Sequence, residues 1–287
     1  MVEISEQNVD GNPLEVMASV TKGTDKLALY WIGQAGFAFC FKNKLGLIDP
    51  YLSDYLAKKY KDTKVSHIRM MSAPLNSVNI RNLDLVFCSH SHSDHMDPET
   101  LRILAKHNTN CKFVIPKAVM DLAIKIGLDE ANIQAVNAGE KISYNSDIKI
   151  EVIPASHEEI KFNKKKEHYF LGFILKFGNI TIYHSGDCVL YDGLKDILKT
   201  KNIDIALLPI NGRDLYRKKL NILGNFTFEE ALDLCSYCKI PTMFSHHFGM
   251  FAFNTVNVKE INKKIKNLKN GIKCFLPDIK KTYIISK

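Results

Sequence analysis

The sequence predicts a mixed α/β or α+β fold. Short apolar runs with period-two alternation dominate the first third, similar runs then interleave with helix-period stripes, and Gly, Pro and Asn punctuate the joins. In chain order, 27–32, 37–41 and 45–49 read as strands, and 83–88 as a buried one. Asp97 then serves as an N-cap with Pro98 in the first helical position, which starts a helix over 98–106. A strand at 113–115, a helix at 119–127 and a strand at 148–153 follow. Strands 170–177 and 180–183 are joined by a tight turn at Gly178-Asn179. The remainder reads as helix 193–200, strand 203–208, helix 228–239, strand 242–245 and helix 258–268. The third of these begins at a capping box, Thr227 with Glu230.

Composition narrows the function classes. The chain has 287 residues, 46% hydrophobic and 24% charged, ordinary for a globular protein with a large core. No apolar run approaches the roughly 18 residues needed to span a membrane. The acidic N-terminus, Met1 to Glu6, lacks a signal-peptide core. Seven cysteines form no regular framework, so a reducing, cytoplasmic setting is expected. Cys235 and Cys238 continue the apolar stripe of Phe228, Ala231 and Leu232 and read as core. Net charge is +8, and the stretch from Lys161 to Lys166 holds four lysines. Such a run is ordinarily a solvated surface, although its field also suits an anionic partner.

The chemistry concentrates in Ser89-His90-Ser91-His92-Ser93-Asp94-His95, where three of the ten histidines fall within six positions. Imidazole nitrogens and a carboxylate are the ligand set of zinc, manganese or iron. The cluster lies on a strand-to-helix loop, where a rigid scaffold presents functional groups. Spaced two apart, His90 and His92 can point the same way, while Asp94 and His95 come after the chain turns and can face a second metal. His157, Asp187 and the pair His246-His247 each end a later strand-like run. Gly186 permits a sharp bend beside Asp187.

This order of motifs resembles the metallo-β-lactamase superfamily, from about Leu27 to Asn254. Trp31-Ile32-Gly33-Gln34-Ala35-Gly36-Phe37 and Leu47-Ile48-Asp49-Pro50 look like its opening hairpins. The segments at Tyr183–Asp187, Gly224–Thr227 and His247–Phe251 look like the L-ascorbate-6-phosphate lactonase branch. The resemblance implies a four-layer αβ/βα sandwich with a metal site at the sheet edge. It also implies two divalent ions, zinc or manganese with iron a further option. One site would be His90, His92 and His157; the other Asp94, His95 and His247; Asp187 would bridge them. Of the adjacent pair, His247 is chosen because the following Phe-Gly-Met-Phe fits at that offset, leaving His246 packed or supporting. Asp94 and His184 are the expected catalytic residues, with His184, Asp97 and Asp49 as candidates to orient ligands. Arg213 follows a strand and suits a phosphate or carboxylate, or else a salt bridge to a neighbouring acid; Asn254 joins it as a substrate-binding residue.

The implied function is a metal-dependent hydrolase in which a metal-bound hydroxide attacks a small anionic metabolite, a phosphorylated sugar lactone being one form. A phosphodiesterase acting on nucleic acid or phospholipid, and a non-enzymatic metal-binding protein, are the alternatives. No long insertion suggests a grip on a polymer, so nucleic acid is the less favoured partner. A homo-oligomer is left open. One domain is expected over residues 1–287, with 1–25 as an N-terminal extension of no assigned role.

Overall fold

The computed structural model describes residues 2–287. The first strands are β1 (Glu3–Asn8), β2 (Leu27–Gly33), β3 (Gly36–Phe41), β4 (Lys44–Ile48), β5 (Leu85–Phe87), β6 (Lys112–Pro116) and β7 (Ile133–Val136). Next come β8 (Lys141–Ser143), β9 (Ile148–Pro154), β10 (Leu171–Phe177), β11 (Ile180–His184), β12 (Ile205–Pro209), β13 (Thr242–His246) and β14 (Lys273–Phe275). The last strand, β15 (Lys281–Ser286), returns to the first sheet, ordered β1-β15-β2-β3-β4-β5-β6-β7. The second sheet is ordered β14-β13-β12-β11-β10-β9-β8.

Each sheet is antiparallel on one side and parallel on the other. β2 to β4 are antiparallel, whereas β4 to β7 run parallel. β8 to β11 are antiparallel and β11 to β14 parallel. Alternation decides which residues meet between the sheets. Leu29, Trp31, Phe37 and Phe39 share a core with Val152, Phe173 and Ile182 of the second sheet. Their neighbours Ala28, Tyr30, Ala38 and Cys40 turn outward to a separate apolar cluster.

Helices cover both outer faces. On the first sheet lie α1 (Pro13–Thr21), α3 (Pro98–His107) and α4 (Met120–Ile126), with Met17, Leu101, Leu104 and Ala123 in the outer cluster. The short α2 (Tyr55–Lys59) precedes α3. Against the second sheet lie α5 (Leu194–Leu198), α7 (Phe228–Tyr237) and α8 (Val258–Lys266), through Leu194, Phe228, Ala231 and Ile261. α6 (Leu215–Lys219) has no buried residue. The result is the expected αβ/βα layering. The capping box closes as read, with the Glu230 amide donating to Thr227 Oγ1 at 3.2 Å and the Thr227 amide to Glu230 at 2.9 Å. Cys235 and Cys238 are both buried in the core. None of the helices among the described residues is long and apolar enough to cross a membrane.

Sequence patterning misses β1, β7, β8, β14 and β15, and helices α1, α2 and α6. β1 reads Glu-Ile-Ser-Glu-Gln-Asn and is exposed at almost every position. An edge strand held by backbone pairing to β15 needs no apolar alternation. The segment given no role is therefore built into the first sheet. α1 also carries an overlooked start signal: Asn12 accepts from the Leu14 amide, with Pro13 following. Met17 is fully buried and tests this attachment. Met17→Ala should lower stability to urea by about 2–4 kcal/mol. A loss below about 0.5 kcal/mol would detach α1 from the core.

Candidate metal centre

The donor residues all follow strand ends at one edge of the two sheets. His90, His92, Asp94 and His95 lie beyond β5, His157 beyond β9, Asp187 beyond β11 and His247 beyond β13. Donor atoms of His90, His92 and His157 lie within 4.8 Å of one another, as do those of His90, His95 and Asp187, and those of Asp94, His95 and His247. Asp187 sits at the middle, with one carboxylate oxygen 3.3 Å from His95 Nε2 and the other 3.2 Å from His247 Nε2 and 3.5 Å from His157 Nε2. Asp94 Oδ2 is 3.6 Å from His247 Nε2.

Neighbouring groups fix which nitrogen of each ring faces inward. His95 Nδ1 donates to Asp49 at 2.7 Å, so Nε2 is the nitrogen that faces the other donors. Asp49 also accepts from the Ser89 amide and hydroxyl at 2.6 Å. His157 Nδ1 donates to the Gly224 carbonyl at 3.0 Å. His90 Nδ1 lies 3.0 Å from the Ser89 hydroxyl. His90 Nε2, His95 Nε2 and Asp187 Oδ1 are buried and have no hydrogen-bond partner. Buried polar atoms are ordinarily satisfied, so this inward-facing set fits a divalent cation of the kind imidazole and carboxylate bind.

Electrostatics agree. Burial disfavours charge on His95, yet Asp187, Asp49 and Asp94 hold its pKa well above the ordinary value. Burial is likewise outweighed at His247, which Asp187 and Asp94 push up to about 9. Asp187 resists its own burial because His247 and His95 hold it well below the usual carboxylate range. At His90 and His157 burial outweighs the pull of Asp187 and lowers both, His157 to about 4. The carboxylates thus draw positive charge into the donor cluster, where a bound ion would displace the protons.

Three non-glycine residues here have left-handed backbones: Gln34 at φ 50°, Asp49 at 45° and His247 at 60°. Such conformations are costly and concentrate at functional sites. β13 ends at His246, and the left-handed turn at His247 then carries that ring toward Asp94 and Asp187. His246 instead stacks on His184, with ring centroids 5.0 Å apart, and neither of its nitrogens has a partner. Gln34 is the residue that sequence reasoning left without a role. Its Nε2 donates to Asp94 at 2.8 Å and lies 3.1 Å from His247 Nε2, while its carbonyl accepts from the His247 amide at 2.9 Å. The signal was a polar residue between two glycines at the tip of an otherwise apolar hairpin.

Several expectations are corrected. His184, expected to be catalytic, is fully buried, and both ring nitrogens bond backbone: Nε2 to the Ala35 carbonyl and Nδ1 to the Gly186 amide. It shapes the turn that carries Asp187 and does not line the cleft. Gly186 makes the sharp bend, at φ 60°, and is also needed for packing, since a Cβ there would lie 2.7 Å from that of Ser89. Asp97 caps α3 and bonds Ser53 and Thr100. Arg213 is not among the residues lining the donor cleft. Its guanidinium is held bidentately by Glu230 at 2.6 and 2.7 Å, the salt bridge that was its other reading. Asn254 does line the cleft; its Oδ1 accepts from Asn211 and Arg217, leaving its amide nitrogen without a protein partner.

Two stacked mixed sheets between helix layers, with His and Asp donors gathered at the strand ends, define the metallo-β-lactamase fold class. The chain belongs to that superfamily: residues 47–248 match the family model described as Beta-lactamase superfamily domain. It is 28% identical over 245 residues to a protein named UPF0173 metal-dependent hydrolase from Sulfolobus acidocaldarius, spanning 82% of this chain and 92% of that one. In fold it is similar to Igni18, a metallo hydrolase from Ignicoccus hospitalis, at 20% identity and TM-score 0.64 over 90% of this chain and 98% of that one. It is also similar to isothiocyanate hydrolase from Delia radicum gut bacteria, at 18% identity and TM-score 0.69 over 89% and 98%.

Asp49 offers a direct test of ligand orientation. Asn should tolerate its left-handed backbone while losing the charged bond to His95. Asp49→Asn should weaken metal affinity about 10- to 100-fold in a chelator competition. Unchanged affinity would show that Asp49 serves only the fold.

Proposed function

We propose that this protein is a metal-dependent hydrolase with a two-ion centre that acts on a small anionic substrate. His90, His92 and His157 would hold one ion, Asp94, His95 and His247 the other, and Asp187 would bridge them. The convergence of these donors, with buried His90, His95 and Asp187 atoms otherwise unpartnered, is the observation that carries the reading. The ions would be zinc or manganese, with iron a further option, since all three accept nitrogen and oxygen donors. Such ions acidify a water and polarise the bond under attack.

The chain's own residues do the remaining work. Asp49 and the Gly224 carbonyl hold two rings in the tautomer a ligand needs. Asp94, steadied by Gln34, would accept a hydrogen bond from the nucleophile and orient it. The cleft measures about 400 Å³ and has an apolar wall of Leu56, Val65, Leu223, Phe251 and Phe253. That size suits a metabolite, and two divalent ions against two ligand carboxylates leave a positive centre that favours an anion. Lys59 lines the same cleft and takes the role first sought in Arg213, with the Asn254 amide as a second contact. Lactones remain within this class, as do small phosphate and carboxylate esters.

Metal analysis at saturation should approach two ions per chain, and reproducible binding of one would defeat the two-ion reading. His247→Ala should lose one ion and most activity, whereas His246→Ala should keep both and lose mainly stability. On a panel of lactones, phosphodiesters and RNA, activity confined to long RNA would sink the small-substrate reading. Lys59→Met should raise KM for anionic substrates by about fivefold at most, since the lysine is exposed, with kcat retained. An unchanged KM would remove Lys59 from recognition.

A further inference from the structure

His67 lies in the irregular loop after α2, outside every donor group, yet it lines the cleft together with Asp94, His157 and His247. Its Nδ1 is 2.6 Å from the Val65 carbonyl. A carbonyl only accepts, so Nδ1 carries the hydrogen and Nε2 keeps its lone pair. Nε2 has no hydrogen-bond partner among the described residues and is not among the sealed-off polar atoms. Burial lowers the ring's pKa below the ordinary value, so it stays neutral near pH 7.

The ring is also held in place. It stacks on Tyr60 at 4.3 Å between centroids and meets Phe251 and Phe253 edge-on at 4.9 and 4.7 Å. The loop is strapped beside it. Arg69 Nη1 donates to the Tyr51 and Ser53 carbonyls at 3.2 and 3.0 Å, and the Met70 amide donates to the Met250 carbonyl at 2.8 Å. A fixed tautomer, a clamped ring and one free acceptor on a cleft wall make a preorganised recognition element.

We propose that His67 is a specificity-determining residue whose Nε2 accepts a hydrogen bond from a hydroxyl or N–H group of the substrate. The aromatic rings around it would cover the apolar part that bears this donor. A substrate without the donor would forgo one hydrogen bond, a loss that selects among otherwise similar anions. This inference rests on the hydrolase reading for the site, although its test does not require turnover.

The probes are 2-, 3- and 4-hydroxybutyrate and butyrate, which differ only by a hydroxyl, titrated by calorimetry into the metal-loaded protein. The wild type should bind at least one hydroxylated member about fivefold more tightly than butyrate. His67→Phe, which keeps the ring stack, should abolish that preference at unchanged metal content, and His67→Gln, which retains an acceptor, should restore part of it. If His67→Phe lost metal, His67→Leu would serve as the acceptor-free variant with the same expectation. A preference that persists in an acceptor-free variant of native metal content, or a wild type that favours none of the hydroxylated ligands, overturns the proposal. A preference that depends on His67 in a protein that hydrolyses nothing on the panel would instead leave His67 standing and overturn the hydrolase reading.

Discussion

Two carboxylates buried among histidines set the terms for the rest of this structure. Asp187 is almost fully enclosed, and an enclosed carboxylate is stable only beside positive charge. The chain meets that demand by ending strands of both sheets at one edge, so that rings from the β5, β9 and β13 ends converge on the β11 end. The packing of the two sheets is thus also the assembly of the site. Glycine at 186 is a point of close contact: its missing side chain lets the Asp187 turn approach the Ser89 turn of the other sheet. Ser89 in turn binds Asp49, which binds His95. A single chain of contacts therefore runs from sheet packing to the orientation of one inward-facing nitrogen.

The donors were legible in the sequence because their chemistry is restrictive. Few residue types serve as ligands, and each here follows a recognisable apolar run. Asp49 could be named as a supporting residue for the same reason, being the polar stop of a strand. Elements whose stability comes from pairing rather than burial were not legible. β1 has almost no buried side chain, and β8 and β14 are three residues each. Their signal lies in the partner strand, at a distance that no local period can express.

Direction in space was the other quantity the sequence withheld. His184 stands three residues before Asp187 yet turns its ring to Ala35, because it is the last residue of β11 and the bend at Gly186 redirects the chain before Asp187. Arg213 follows a strand in the second sheet much as the donors do, but Glu230, seventeen residues on, takes both of its guanidinium arms. Asp49, Gln34 and His247 gain their positions through left-handed backbone turns, which polar patterning does not announce. Gln34 is the clearest case, since its side chain and its carbonyl both serve groups more than fifty positions away.

The cleft divides its labour in a way that bears on substrate class. One side is the donor set, where bound ions would act on any polarisable bond. The facing wall is aromatic, with Tyr60, His67, Phe251 and Phe253 in mutual contact. Hydrogen-bonding groups line the same cleft, among them Lys59, Ser91, Ser93, Asn221 and Asn254. The loop after α2 and the residues beyond His247 build that wall without contributing a donor other than His247 itself, so the wall can change while the donor set stays the same.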